Sequence, residues 1–248
     1  DVLSLGRGPL TLGELRNVSV SGRKVELSSA GRKRIILARK FLEAEVSSGK
    51  ILYGVNTGFG LLSNVRIPDS DLESLQYNLL RSHAVGTGAP LSESLAPAMV
   101  LLRASTLVQG HSGVTVGLVE ALLALLNRGV HPYIPEQGSV GASGDLAPLS
   151  HLALVLIGEG KAFFRGQLLS GGKALAAAGL KPIRLHVKEG LALINGTQFM
   201  AALGAAALFE AETLVDLADA VGAMSCEAVK GTAAAFDPDI HQLRPHPG

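Results

Sequence analysis

The 248 residues are 47% hydrophobic and 17% charged, and 22 Lys and Arg against 21 Asp and Glu leave a net charge of +1, so there is no electrostatic case for nucleic acid or an anionic membrane. The single cysteine, Cys226, excludes an intramolecular disulfide and suits a reducing compartment. No unbroken apolar run approaches the ~18 residues of a membrane span, and no basic-then-apolar targeting pattern opens the chain, so a cytoplasmic protein is expected.

This length allows one large domain or two small ones, and the low charged fraction implies extensive burial, as in an oligomer. Residues 18–27 alternate around Ser21-Gly22 and predict a short hairpin. Ile35, Ala38, Leu42 and Val46 then recur at helical spacing, with Gly49 closing the helix. Residues 53–60 form a glycine-rich loop, and residues 69–80 return to helix. From about Ser92 the chain turns to long helices, 95–107 and 114–126, separated by Gly110-His111-Ser112-Gly113. Residues 162–169 predict a second hairpin around Gly166. The last helix, 197–229, is crowded with alanine and glycine. Its Glu210, Glu212, Asp216 and Asp219 are too few to cover a polar face, so it must be buried on several sides. A helical bundle that continues into other chains or into further sequence follows. Residues 236–248, rich in Pro and His, read as loop.

Residues 138–149 carry the most specific chemistry, Gly-Ser-Val-Gly-Ala-Ser-Gly-Asp-Leu-Ala-Pro-Leu. An Ala-Ser-Gly tripeptide is ordinarily a turn. It is also a precursor that its own backbone can consume: the Gly144 amide nitrogen attacks the Ala142 carbonyl, and loss of water, including the Ser143 hydroxyl, leaves an exocyclic methylene. The product, a methylidene-imidazolone (MIO), is an electrophile that no ordinary side chain supplies. Asp145 is a good N-cap, Pro148 is tolerated in a first turn, and an apolar run follows, so the tripeptide stands just ahead of a helix N-terminus, where N–H groups favour negative charge.

Three other segments carry candidate chemistry. Tyr53 opens Tyr-Gly-Val-Asn-Thr-Gly-Phe-Gly, whose glycine spacing is not that of a dinucleotide loop. The tyrosine is either packed in a structural loop or exposed on flexible backbone as a phenolate base. His83, in Asn78-Leu-Leu-Arg-Ser-His-Ala, is a hydrogen-bonded helix-end histidine or a reader of a substrate ring. Asn195, in Ile194-Asn-Gly-Thr-Gln198, is a helix cap or a partner of the reactive group. Lys188 and Glu189 read as a solvated or structural pair, and His151 as a satisfied core residue. Arg103 either binds a carboxylate or is paired inside a bundle. Gly110-His111-Ser112-Gly113 fails the nucleophile-elbow pattern because Val114 follows. The seven histidines form no H-E-x-x-H and no Cys/His cluster, so no metal site is expected.

The segment around Ala142-Ser143-Gly144 resembles the MIO-forming signature of the aromatic amino acid ammonia-lyases, most closely their histidine-specific branch. The resemblance covers nearly the whole chain, with the Tyr53, His83, tripeptide and Asn195 motifs in family order. It implies a mainly α fold of the fumarase/aspartase-like type. Residues 1–108 would form an N-terminal lobe with short hairpins that carries Tyr53 and His83, and residues 109–248 the first part of a long-helix bundle. It further implies Tyr53 as β-proton base, His83 as partner of an imidazole ring, and Asn195 beside the prosthetic group or the substrate amine. Ser82-His83 favours histidine, because a buried polar group disfavours a plain phenyl ring. The implied reaction is elimination of ammonia from L-histidine to trans-urocanate, with a phenylalanine or tyrosine lyase or an aminomutase as alternatives. Whether the substrate's amine or its ring engages the methylidene carbon stays open. Family sites are assembled from several subunits of a homotetramer. They also use an arginine, a second tyrosine and an acidic residue from a C-terminal half with no counterpart here. A catalytically incomplete fragment that needs a C-terminal partner is therefore a second expectation.

Overall fold

The computed structural model describes residues 2–60, 63, 65–92 and 94–246. By compactness the chain divides into residues 1–203 and 204–248.

In the first unit, Thr11 and Glu14 form a reciprocal capping box that starts α1 (Leu12–Ser19), and Leu15 and Val18 turn its apolar face inward. That start signal overrules the alternation expected to make residues 18–27 a hairpin. Val18 and Ser19 close a helix instead, and β2 (Val25–Leu27) pairs in parallel with β1 (Leu3–Leu5), Leu3 opposite Val25. Helix α2 (Ser29–Ser47) begins at Ser28, whose hydroxyl accepts from Gly31 N–H, and Gly49 at φ 78° follows its end. A 3₁₀ turn at Asp69–Asp71 leads into α3 (Leu72–His83), and β3 is Thr87–Pro90. The long helices stand where expected, as α4 (Leu95–Val108) and α5 (Val116–Arg128). Helix α4 is apolar on nearly every face, since it packs against α1, α2 and α5 at once.

Strands β4 (Val130–Pro132) and β5 (Pro135–Gln137) follow; β5 pairs antiparallel with β3 and leads directly into the tripeptide segment. Beyond α6 (Leu146–Leu156), the hairpin expected around Gly166 is β6 (Lys161–Phe164) and β7 (Gln167–Ser170), which joins β4 in a three-stranded sheet. Helix α7 spans Gly171–Ala177 and α8 spans Glu189–Ile194. Helices α3, α6 and α8 pack on one another.

Helix α9 (Gln198–Ala228) starts in the first unit and supplies most of the second. The stretch Glu189–Ala228 is long and apolar enough to cross a bilayer by length and composition, although no unbroken apolar run in it reaches that length. Six acidic residues interrupt the stretch and still leave it apolar on average. Residues 236–248 are not all loop: α10 (Pro238–Gln242) forms because Asp237 accepts from Asp239 N–H and Pro238 takes the first helical position.

Candidate active site

The tripeptide loop and the Asn195 loop are knitted together. Asn195, at the C-terminal end of α8, donates from Nδ2 to the Ser143 carbonyl at 2.7 Å and to Ser143 Oγ at 3.2 Å. Two residues beyond Ser143 and one beyond Asn195, the Asp145 N–H donates to the Gly196 carbonyl at 2.7 Å. Gly144 sits at φ 104°, and a Cβ there would stand 2.5 Å from Gly196 O and 2.8 Å from Gly196 N. Both the conformation and the space therefore demand glycine. Ala142, Ser143 and Asn195 remain exposed, so this knot opens outward.

Asp145 does more than its expected capping, and not on its own helix. Its side chain makes no capping bond to α6. The buried carboxylate accepts from Ser139 Oγ at 2.7 Å and from Met200 N–H, in the first turn of α9, at 3.0 Å. The residue that precedes α6 thus caps α9 and ties its first turn to the tripeptide loop. Arg103 braces the other side. Its buried guanidinium donates to the Ala192 and Asn195 carbonyls at the end of α8 and to Gln198 Oε1. Burial pushes its pKa down to about 10. Carbonyls and an amide answer this arginine, and the carbonyls are the negative end of the α8 dipole.

His83 ends α3, with Nδ1 2.9 Å from the Leu79 carbonyl. Nδ1 is also 3.0 Å from Ser82 Oγ; a carbonyl can only accept, so Nδ1 donates to Leu79, and in the neutral ring Nε2 is the acceptor. The backbone just beyond is clamped: Gly86 N–H donates to His151 Nε2 at 3.0 Å, and a Cβ on Gly138 would meet Gly86 Cα at 2.9 Å. His151 is the satisfied residue it was expected to be, and burial holds its pKa below the usual histidine range. The His83 segment therefore lies against the segment that leads into the tripeptide.

Tyr53 is not brought to the tripeptide. It is 62% exposed and lines a separate cavity with His111 and Lys188. Its loop is hydrogen-bonded within itself. Buried Asn56 accepts from Leu52 N–H and donates to the Lys50 carbonyl, and Thr57 Oγ1 accepts from Gly54 N–H. Gly54 packs on Leu191 of α8, where a Cβ would come within 2.7 Å. Tyr53 and Lys188 therefore flank the start of α8 and Asn195 its end, a helix about 9 Å long. Lys188 and Glu189 are not a solvated pair. Glu189 is fully buried and accepts from Thr115 N–H, the Thr115 hydroxyl and His186 N–H, while Lys188 sits at φ 78° with its pKa lowered by burial.

The aromatic amino acid lyase family model matches residues 10–248. Histidine ammonia-lyase from Koribacter versatilis is 54% identical over 99% of this chain and 48% of its own length. Among solved structures, histidine ammonia-lyase from Trypanosoma cruzi superposes with a TM-score of 0.93 at 43% identity, over 100% of this chain and 48% of that one. Phenylalanine aminomutase from Pantoea agglomerans gives 0.93 at 34% identity, over 99% and 47%. The chain spans about half the length of the relatives it matches. With its motifs in order and the fold shared throughout, the chain belongs to the aromatic amino acid lyase family.

Proposed function

We propose that the chain is the N-terminal half of a histidine ammonia-lyase, a cytoplasmic homotetramer that eliminates ammonia from L-histidine to give trans-urocanate. The observation that carries the reading is the Asn195–Ser143 contact beside Gly144, which has no room for a Cβ. The residues fit an MIO formed from Ala142-Ser143-Gly144, which would supply an electrophilic carbon able to accept electron density. Asn195 holds the carbonyl of Ser143, and the N-terminus of α6 favours negative charge developing in the loop. His83 accepts at Nε2 from the N–H of the substrate imidazole. Tyr53 removes the β-proton in a site completed by another subunit, consistent with its exposure at the far end of α8. The division into residues 1–108 and 109–248 belongs to this reading, as the parts that carry Tyr53 and His83 and the tripeptide and Asn195 respectively.

Half-length coverage supports a catalytically incomplete chain, so activity is expected only when a C-terminal half is supplied. Ring closure removes two waters, so the intact mass should fall by about 36 Da. Urocanate absorbance should then appear on adding L-histidine to the complemented protein. An unmodified mass together with silent complemented protein would refute the reading. In the complemented enzyme, His83→Leu should reduce the preference for histidine over phenylalanine; an unchanged preference removes His83 from its role.

A further inference from the structure

Away from the tripeptide loop, a cavity of about 830 Å³ opens between the β4–β6–β7 sheet and the ends of α5 and α7. Small-molecule sites run to roughly 300–1,000 Å³. Phe164, Pro132 and Ala178 supply apolar wall, Arg128 and Arg165 stand on its lining, and no Asp or Glu is among the described residues that line the space. Among the described residues neither arginine takes part in an ion pair. The Arg165 guanidinium lies over the Phe164 ring, 5.1 Å from its centroid.

The backbone gives a second, independent observation. The turn between β6 and β7 has two residues, Arg165 at φ 51° and Gly166 at φ 76°. With both centres left-handed, such a turn favours Asn, Asp or Gly at its first position. A long side chain there is strained, and the turn itself does not account for an arginine. The cavity does, because this hairpin tip is what brings the second guanidinium to its rim.

We propose that this cavity is a binding site for a small planar aromatic carboxylate, with the carboxylate on Arg128 and Arg165 and the ring against Phe164. A bare inorganic anion would leave the phenylalanine wall unused, and a neutral aromatic would leave the guanidinium groups without an acceptor. The site is independent of the chemistry proposed for the tripeptide. Calorimetric titration of the 248-residue chain with 2-naphthoate should show one site, and inorganic phosphate and 2-naphthalenemethanol should each bind more weakly. Arg165→Asn should weaken 2-naphthoate binding about tenfold or more while the melting temperature stays the same or rises, since Asn suits the turn better. Arg128→Gln should weaken it similarly. Unchanged affinity in both variants, or phosphate binding as tightly as naphthoate, would overturn the proposal. So would a lower melting temperature for Arg165→Asn, which would assign the arginine to the fold. Ser143→Ala should leave binding intact; loss of binding there would move the probe to the tripeptide loop and sink the idea.

Discussion

Gly144 and Asp145 are neighbours with separable jobs. Gly144→Ala asks for a Cβ at φ 104° within 2.5 Å of Gly196 O, so the two loops must part. The expected outcome in the complemented protein is an intact mass without the two-water loss, alongside reduced stability. If Gly144→Ala loses the waters normally, close packing on Gly196 is not what prepares the loop. Asp145→Ala instead strands the Ser139 hydroxyl and the Met200 N–H, both otherwise answered by one buried carboxylate. Two lost charge-assisted hydrogen bonds with buried remnants should cost about 2–4 kcal/mol, read from urea midpoints. Asp145→Asn keeps one acceptor and should lose less. Both jobs were partly legible beforehand: an Ala-Ser-Gly ahead of a helix announced the loop, and Asp145 was recognised as a capping residue. Which helix it caps was not legible, because Met200 lies 55 residues away and only the fold makes it a neighbour.

At the scale of elements, α3, α6 and α8 are the frame, and the residues that tie them are long-range and polar. Arg103 is the clearest case. Apolar spacing predicted α4 closely, yet its one buried guanidinium could have met a carboxylate or a bundle partner. The structure turns it on the Ala192 and Asn195 carbonyls. Arg103→Lys replaces a planar fork by a point charge and should lower stability by about 2–3 kcal/mol. Asn195 would lose its brace as well, so activity of the complemented enzyme should fall more than that of a surface Arg→Lys control. His151 links α6 to the backbone beyond α3 through the Gly86 N–H, and that link depends on pH. Burial depresses its folded-state pKa, so below about pH 6.5 the unfolded chain takes up a proton that the folded chain resists. Stability present above that pH is lost as pH falls toward the folded pKa. His151→Gln should remove part of the slope between about pH 7.5 and about pH 5.5, measured as the difference in urea midpoints. Equal slopes in the two proteins would show that His151 is not the titrating link. The helix α1 in place of the expected hairpin has a local origin instead. Alternation over a few residues is a weak local signal, and a capping box that opens seven residues before Val18 outweighs it.

For the whole molecule the decisive element is α9. Its composition already required burial on several sides, yet from Glu210 onward the described residues are almost all exposed, with Leu214, Leu217, Val221 and Met224 among them. A helix of this kind draws little stability from propensity alone, since isolated helices are marginal and tertiary packing supplies most of what holds them. Its first turns differ, because Asp145 caps Met200, and Phe199, Ala202 and Ala205 are buried. Hydrogen exchange should therefore divide the helix. Amides near residues 201–206 should be protected in the 248-residue chain, while those beyond about residue 210 should exchange early through local opening. Adding the C-terminal half should extend protection along α9 and leave the first turns nearly unchanged. If the distal amides of the chain alone are already slow, α9 needs no further partner surface. The relatives' doubled length would then have to be explained by catalysis rather than by folding.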